Sequence, residues 1–190
     1  TDNTLYRVFL NNRNSRFSFI ILQFIANFAV TELLLATIIS QKTNLFIRKE
    51  TMNVEKYSTI LENEEGLSRT LGMHFISTPE PDTLMARMAV GDCNRQTFGF
   101  LSGGATLALA ENVAGLGSMI LCNGKMALGI NVSGNHVKAV PYGGMVTAYA
   151  RILHQGHKLH VWHIDVKDSE GELISSVQVT NYIVHSNRKL

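Results

Sequence analysis

Cysteine occurs only twice in the 190 residues, at Cys93 and Cys122, and proline only three times. Two cysteines outside any CxxC pattern cannot build a disulfide scaffold, so a reducing, cytoplasmic setting is expected. An excess of one charge is also lacking: 17 Lys and Arg face 15 Asp and Glu, a net charge of +2, and aromatics make up 8%. Such a balance gives no basic field for DNA or RNA, and no nucleic-acid partner is expected. No segment repeats at a fixed period and no low-complexity tract occurs, which excludes solenoids and arrays. What the chain does have is apolar residues, 45% of the total, ample for a core and contrary to disorder.

These shortages are unevenly spread. All 15 glycines and all three prolines lie after Met52, whereas six of the nine phenylalanines lie before it. Residues 1–51 carry a net charge of +3 and the remaining 139 residues a net charge of −1. One folded domain rarely divides its turn residues this way. We read residues 1–51 as a leader and residues 52–190 as one domain of ordinary size. In the leader, the run Phe17–Ile39 predicts a helix of 23 residues, long enough at roughly 35 Å to cross a bilayer. Arg13 and Arg16 before it would hold the N-terminus in the cytoplasm, but Gln23, Asn27 and Glu32 oppose burial in lipid. No small-x-small cleavage pattern follows. The expectation is sequence upstream of a start at Met52, read in frame, with a membrane segment as the alternative. Membrane contact is expected only if the leader is native.

Beyond Met52, Glu55–Leu71 reads as a helix closed by Gly72. Met73–Ser77 and Thr83–Val90 read as strands joined by the turn Pro79-Glu80-Pro81-Asp82. Gly91–Ser102 reads as a loop, and Gly103–Leu121, GGATLALAENVAGLGSMIL, as a helix apolar nearly all round and therefore buried. Four strands follow, near Met126–Val137, Met145–Gln155, Lys158–Lys167 and Leu173–Val184, with turn residues between them. A long buried helix followed by a run of antiparallel strands predicts an α+β fold with the sheet wrapped over the helix.

Glu111 stands in the middle of that helix, and burying a carboxylate without a partner is costly. Either it faces a subunit edge or a basic partner, or it is a catalytic carboxylate in a dry pocket. Ser102-Gly103-Gly104 sets free main-chain N–H groups at the start of the same helix, where they can hold a developing oxyanion. Eight residues of helix separate Gly103 from Glu111, about 12 Å, too far for one carbonyl to meet both. Two antiparallel helices from two subunits would bring each Glu111 to the partner's Gly103, so a shared site requires at least a dimer.

The run Gln96-Thr97-Phe98-Gly99-Phe100-Leu101-Ser102-Gly103-Gly104-Ala105, followed by Glu111, resembles the hot-dog-fold acyl-CoA thioesterases. It is most similar to the branch containing phenylacetic-acid-pathway, 4-hydroxybenzoyl-CoA (Arthrobacter-type) and 1,4-dihydroxy-2-naphthoyl-CoA thioesterases. Asn135-His136-Val137-Lys138, His154-Gln155-Gly156-His157-Lys158 and Val161-Trp162 fall where that branch has matching segments, so the resemblance runs from Gly66 to Val184. It implies hydrolysis of an aromatic or bulky acyl-CoA in a homodimer paired again into a homotetramer, with no cofactor beyond the CoA of the substrate. Glu111 would be nucleophile or general base, Gly103 N–H would polarise the carbonyl, Gln96 would assist at the thioester, and Ser102 would adjoin it. His136, Lys138, Gly156, His157 and Lys158 are the expected substrate and CoA contacts, Lys138, His157 and Lys158 through phosphate.

Two positions depart from the branch: Ser102 stands where a His is usual, and Gly115 where Ser or Thr is common. A hydroxyl at 102 donates one hydrogen bond but does not carry a proton near neutrality as imidazole does. These departures raise a non-catalytic acyl-CoA-binding domain as an alternative; a hydratase or dehydratase, which pairs a His with the acid, is disfavoured by Ser102. His154, His157, His160 and His163 recur every third residue, but on a strand they divide between two faces, so no metal site is expected. Trp162 is expected in the core.

Overall fold

The computed structural model describes residues 23, 25–37, 51–63 and 65–185, and the chain divides into two units, Thr1–Lys49 and Glu50–Leu190. In the first unit Ile25–Thr37 forms a helix, α1. Gln23 apart, the rest of the predicted Phe17–Ile39 helix lies outside the described residues.

The second unit begins with α2 (Glu55–Asn63), α3 (Leu67–Thr70), β1 (Met73–Ser77) and β2 (Thr83–Ala89). The long helix α4 (Gly103–Leu121) follows, then β3 (Ala127–His136), β4 (Met145–Gln155), β5 (Leu159–Asp168) and β6 (Leu173–Ile183). All six strands join one antiparallel sheet in the order β1-β2-β4-β5-β6-β3. The expected α+β architecture is therefore present, with strand ends within a residue of those read from the hydrophobic alternation. The single helix expected over Glu55–Leu71 is instead two. Gly66 is fully extended at φ 174° and ψ −179°, a conformation that no helix contains, whereas Gly72 at φ +66° closes α3 as expected.

Alternate residues of the central strands point at α4 and are buried: Leu84, Ala86 and Met88 from β2, Val146, Ala148 and Ala150 from β4, Trp162, Ile164 and Val166 from β5. This period of two meets the apolar face of α4, formed by Leu109, Ala110, Val113, Ala114 and Leu116. One close approach is at Gly117, where a Cβ would lie 2.5 Å from Cη2 of the fully buried Trp162 and 2.9 Å from a Leu84 methyl. Gly117→Ala is expected to cost about 1–3 kcal/mol by overpacking. Gly115→Ala, with no atom within 4 Å of the new Cβ, should be neutral or stabilising through helix propensity. Urea unfolding of the two variants side by side checks the contrast.

Candidate active site

Asn94, itself buried, ties the loop between β2 and α4 to the sheet. Its Oδ1 accepts from the Gly91 N–H at 2.8 Å and its Nδ2 donates to the Ala89 carbonyl at 2.8 Å. The Ser102 N–H donates to the Asn94 carbonyl at 2.9 Å, which fixes where α4 starts. Ser102 is the N-cap residue, but its hydroxyl makes no capping hydrogen bond, so the first-turn N–H groups of a helix with its dipole behind them are not consumed by it. A cleft of about 330 Å³ opens at this point, lined by Gln96, Gly103, Thr106, His136, Lys138 and Ser175 among others; Ser102 does not line it.

His136 ends β3 opposite Ser175 of β6. Its Nδ1 is 2.7 Å from Ser175 Oγ, and Ser175 is fully buried. The other ring nitrogen faces the start of α4: a Cβ on Gly103 would lie 2.7 Å from His136 Nε2. A side chain at 103 would therefore force the His136 imidazole of β3 to shift. Lys138 lines the same cleft but is already engaged, its Nζ 2.7 Å from Asp168 Oδ2. That hydrogen bond raises the lysine above its ordinary range and lowers the Asp168 carboxyl, which also accepts from the Glu170 and Glu172 N–H groups.

Glu111 lines a second cleft of about 400 Å³, with Asn112, Gly115, Met119, Gly129 and Asn181. Its Oε1 occupies the space a Cβ on Gly129 would take, so glycine at 129 seats the carboxylate against β3. The expectation of a helix buried all round is corrected here. Glu111, Asn112, Gly115 and Met119 recur at helical spacing as a half-exposed stripe on α4, while only the opposite face is sealed by the sheet. Among the described residues Glu111 makes no ion pair. Asn112 is spent on structure: it accepts from Ser68 Oγ at 2.8 Å, holding α3, and donates to the Ala108 carbonyl at 2.8 Å.

Both clefts lie along one line, because β3 runs beside α4 with His136 at Gly103 and Gly129 at Glu111. A bulge at Ile130, between Gly129 and Asn131, makes this possible. Without it, residues 129 and 136 would face opposite sides of the strand; the extra residue turns both toward the helix. Within one chain the two clefts remain separate, as the helix spacing requires.

The turn Gly156-His157-Lys158 stands elsewhere. Leu159 pairs with Tyr182, seven positions along β6 from the Ser175 that pairs with His136, about 23 Å at the strand rise. The turn therefore sits at the Ala127 end of β3, away from Lys138. A Cβ on Gly156 would lie 3.0 Å from the Leu159 carbonyl, and the His157 ring stacks on His185 at 4.0 Å. β5 separates the remaining histidines by face. His160 is buried beside Cys122, 3.8 Å from its Sγ, and burial lowers its pKa. His163 lies on the outer face, 3.0 Å from Asp165. Trp162 is in the core, as expected. Thr106, Ser175 and Asn181 were not singled out from sequence. Thr106 was legible, since it is one turn from Gly103 on the same helix face; Ser175 and Asn181 enter only through strand register.

Residues 98–175 match the thioesterase superfamily. The chain is 34% identical over 104 residues to 1,4-dihydroxy-2-naphthoyl-CoA hydrolase of Escherichia coli, covering 54% of this chain and 76% of the relative. It is 31% identical over 110 residues to the Listeria monocytogenes protein of that name, covering 57% and 88%. Among solved structures, a thioesterase of Haemophilus influenzae matches with a TM-score of 0.65 and 30% identity, over 74% of this chain and 98% of that one. The PaaI protein of the Escherichia coli phenylacetic acid degradation operon, 17% identical over 70% of this chain and 94% of that one, shares the fold at a TM-score of 0.61. The chain belongs to the thioesterase superfamily: it is a thioester hydrolase with a hot-dog fold.

Proposed function

We propose that this protein hydrolyses an aromatic or similarly bulky acyl-CoA in a site shared by two subunits, with Glu111 of one and the partner's Gly103 and Gln96 acting on one thioester. The observation that carries this reading is the position of the two clefts at opposite ends of β3, an edge strand. β3 contains no Lys, Arg, Asp, Glu or Pro and exposes Leu128 and Ile130, so nothing blocks its free main-chain groups from pairing with another strand. Antiparallel pairing of two such edges brings the Ala127 end of one to the His136 end of the other, and with it each Glu111 cleft to the partner's Gly103 cleft. The half-exposed stripe of α4 is covered by the same contact. Pairing of two such dimers into a tetramer belongs to the proposal, and free thiols at Cys93 and Cys122 suit a cytoplasmic setting.

In this site the Gly103 N–H, at the positive end of α4, polarises the thioester carbonyl. His136, held by Ser175, supplies the imidazole that position 102 lacks. Glu111 delivers the attacking oxygen, the C–S bond breaks, and the CoA sulfur leaves as the thiol. Gly156, His157 and Lys158 of the Glu111 subunit and the partner's His136 and Lys138 then flank one substrate from two sides.

Thiol release from a panel of acyl-CoAs tests the substrate class: aryl thioesters should turn over faster than acetyl-CoA, and equal rates would sink the bulky-acyl assignment. Freeing Lys138 gives a second test. Asp168→Asn should lower KM for a CoA thioester while leaving KM for a nucleotide-free N-acetylcysteamine thioester unchanged. In the parent the ion pair is intact at neutral pH, because the Asp168 carboxyl is lowered. Its contribution is present above the ordinary carboxylate range and disappears as pH falls through the lowered value. The KM advantage of Asp168→Asn should therefore shrink as the assay is acidified.

A further inference from the structure

We infer that Asn181 is a positioning residue for the reaction, holding with Glu111 the water that attacks the thioester, so that Glu111 acts as general base. The inference rests on the assignment of Glu111 as the catalytic carboxylate. Asn181 lies directly across from Gly129 in the β3–β6 ladder, and side chains of such opposed residues share a face about 5 Å apart. Gly129 has no side chain, and the Glu111 carboxylate fills its place. The Asn181 amide is therefore the cross-strand neighbour of that carboxylate, and both line the same cleft.

One end of the amide is committed to the fold. Its Nδ2 donates to Ser118 Oγ at 2.9 Å, and Ser118 is held in turn by Trp162 Nε1 at 2.8 Å. The other end, Oδ1, is buried without a protein partner, although Asn181 as a whole is fully buried. Buried polar atoms in native proteins are as a rule hydrogen-bonded, to protein or to ordered water, and a buried water needs two to four polar partners. Asn181 and Glu111 supply two, and Gly115, with no atom within 4 Å of its missing Cβ, keeps space open on the same cleft. A water held there donates one hydrogen to the amide and the other to the carboxylate, which aims its free lone pair into the cleft. In the reaction its oxygen bonds to the thioester carbon while its proton passes to Glu111. The C–S bond then breaks and the CoA sulfur takes that proton.

The experiment uses the full chain and an acyl-CoA that the parent hydrolyses. Asn181→Leu should reduce kcat about 10²-fold with KM within twofold. Asn181→Asp should move the acidic limb of the kcat–pH profile to higher pH, because two carboxyls in one cleft oppose each other's ionisation. In a single turnover of the parent in H₂¹⁸O with enzyme in excess, the label should appear in the product acid. Unchanged kcat in Asn181→Leu, an unmoved profile in Asn181→Asp, or label retained on Glu111 would each overturn the inference while loss of activity in Glu111→Ala leaves the active-site assignment standing. Full activity in Glu111→Ala would overturn both. If Asn181→Leu does not fold, the Asn181→Asp profile and the labelling of the parent decide the matter.

Discussion

Glu111→Ala is expected to lower kcat for acyl-CoA hydrolysis by about 10²–10⁴-fold, the range associated with a positioned general base, with KM changed by no more than a few fold. The carboxylate is the acid that the α4 stripe presents to its cleft, and it is seated where Gly129 leaves room. The residues proposed to meet the CoA moiety stand apart from it on the β4–β5 turn and at the end of β3, which is why binding should survive. Stability should survive too. Glu111 is half-buried, and among the described residues it forms no ion pair, so its removal strands no counter-charge. A thermal midpoint equal to the parent's together with collapsed turnover is the expected pair of results. Undiminished turnover would refute the site.

Trp162→Ala is expected to remove about 3–5 kcal/mol of stability, a large share of what a domain of this size possesses. The ring is fully buried, packs closely against Gly117 of α4, and donates through Nε1 to Ser118 Oγ at 2.8 Å. Alanine would open a cavity between α4 and β5 that a glycine on the facing helix cannot fill. Trp162→Phe keeps most of the volume and loses the hydrogen bond, so a smaller loss, about 1 kcal/mol, is expected. Urea denaturation with an unchanged m-value measures both. A loss below that of Phe in the alanine variant would mean that the core does not close on Trp162. Because Ser118 also anchors Asn181, the phenylalanine variant carries a second expectation: any shift in turnover should be in kcat rather than KM.

Much of the architecture was legible because period and turn chemistry are local. Alternation marked four strands to within a residue, and the turn glycines bounded them. Gly103–Leu121 was read to its ends because a mostly apolar run follows the Ser-Gly-Gly start. The break at Gly66 was missed because glycine is merely unfavourable in a helix until the chain is actually extended there. The apolar look of α4 also misled in one respect. Composition does not say which face meets the sheet and which stays half-exposed, and Glu111 lies on the second.

The candidate site divides along the same line. Gly103 and Glu111 could be placed from sequence because their spacing on one helix is a matter of fixed rise per residue, and only if both groups serve one site does that rise require two subunits. The companions of each were beyond it. His136 was selected by resemblance, but its seat against Gly103, its hydrogen bond to Ser175, and the pairing of Gly129 with Asn181 all depend on register. A single bulge at Ile130 reverses which side of β3 faces the helix, and no local pattern in Leu128-Gly129-Ile130-Asn131 announces it. Fold class, the core helix and the place of the Glu111 carboxylate on it were thus determined by the sequence itself, through short-range periodicity and covalent spacing. Which strand residues surround that carboxylate was decided only by the tertiary structure, because strand register is chosen by the summed packing of the whole sheet.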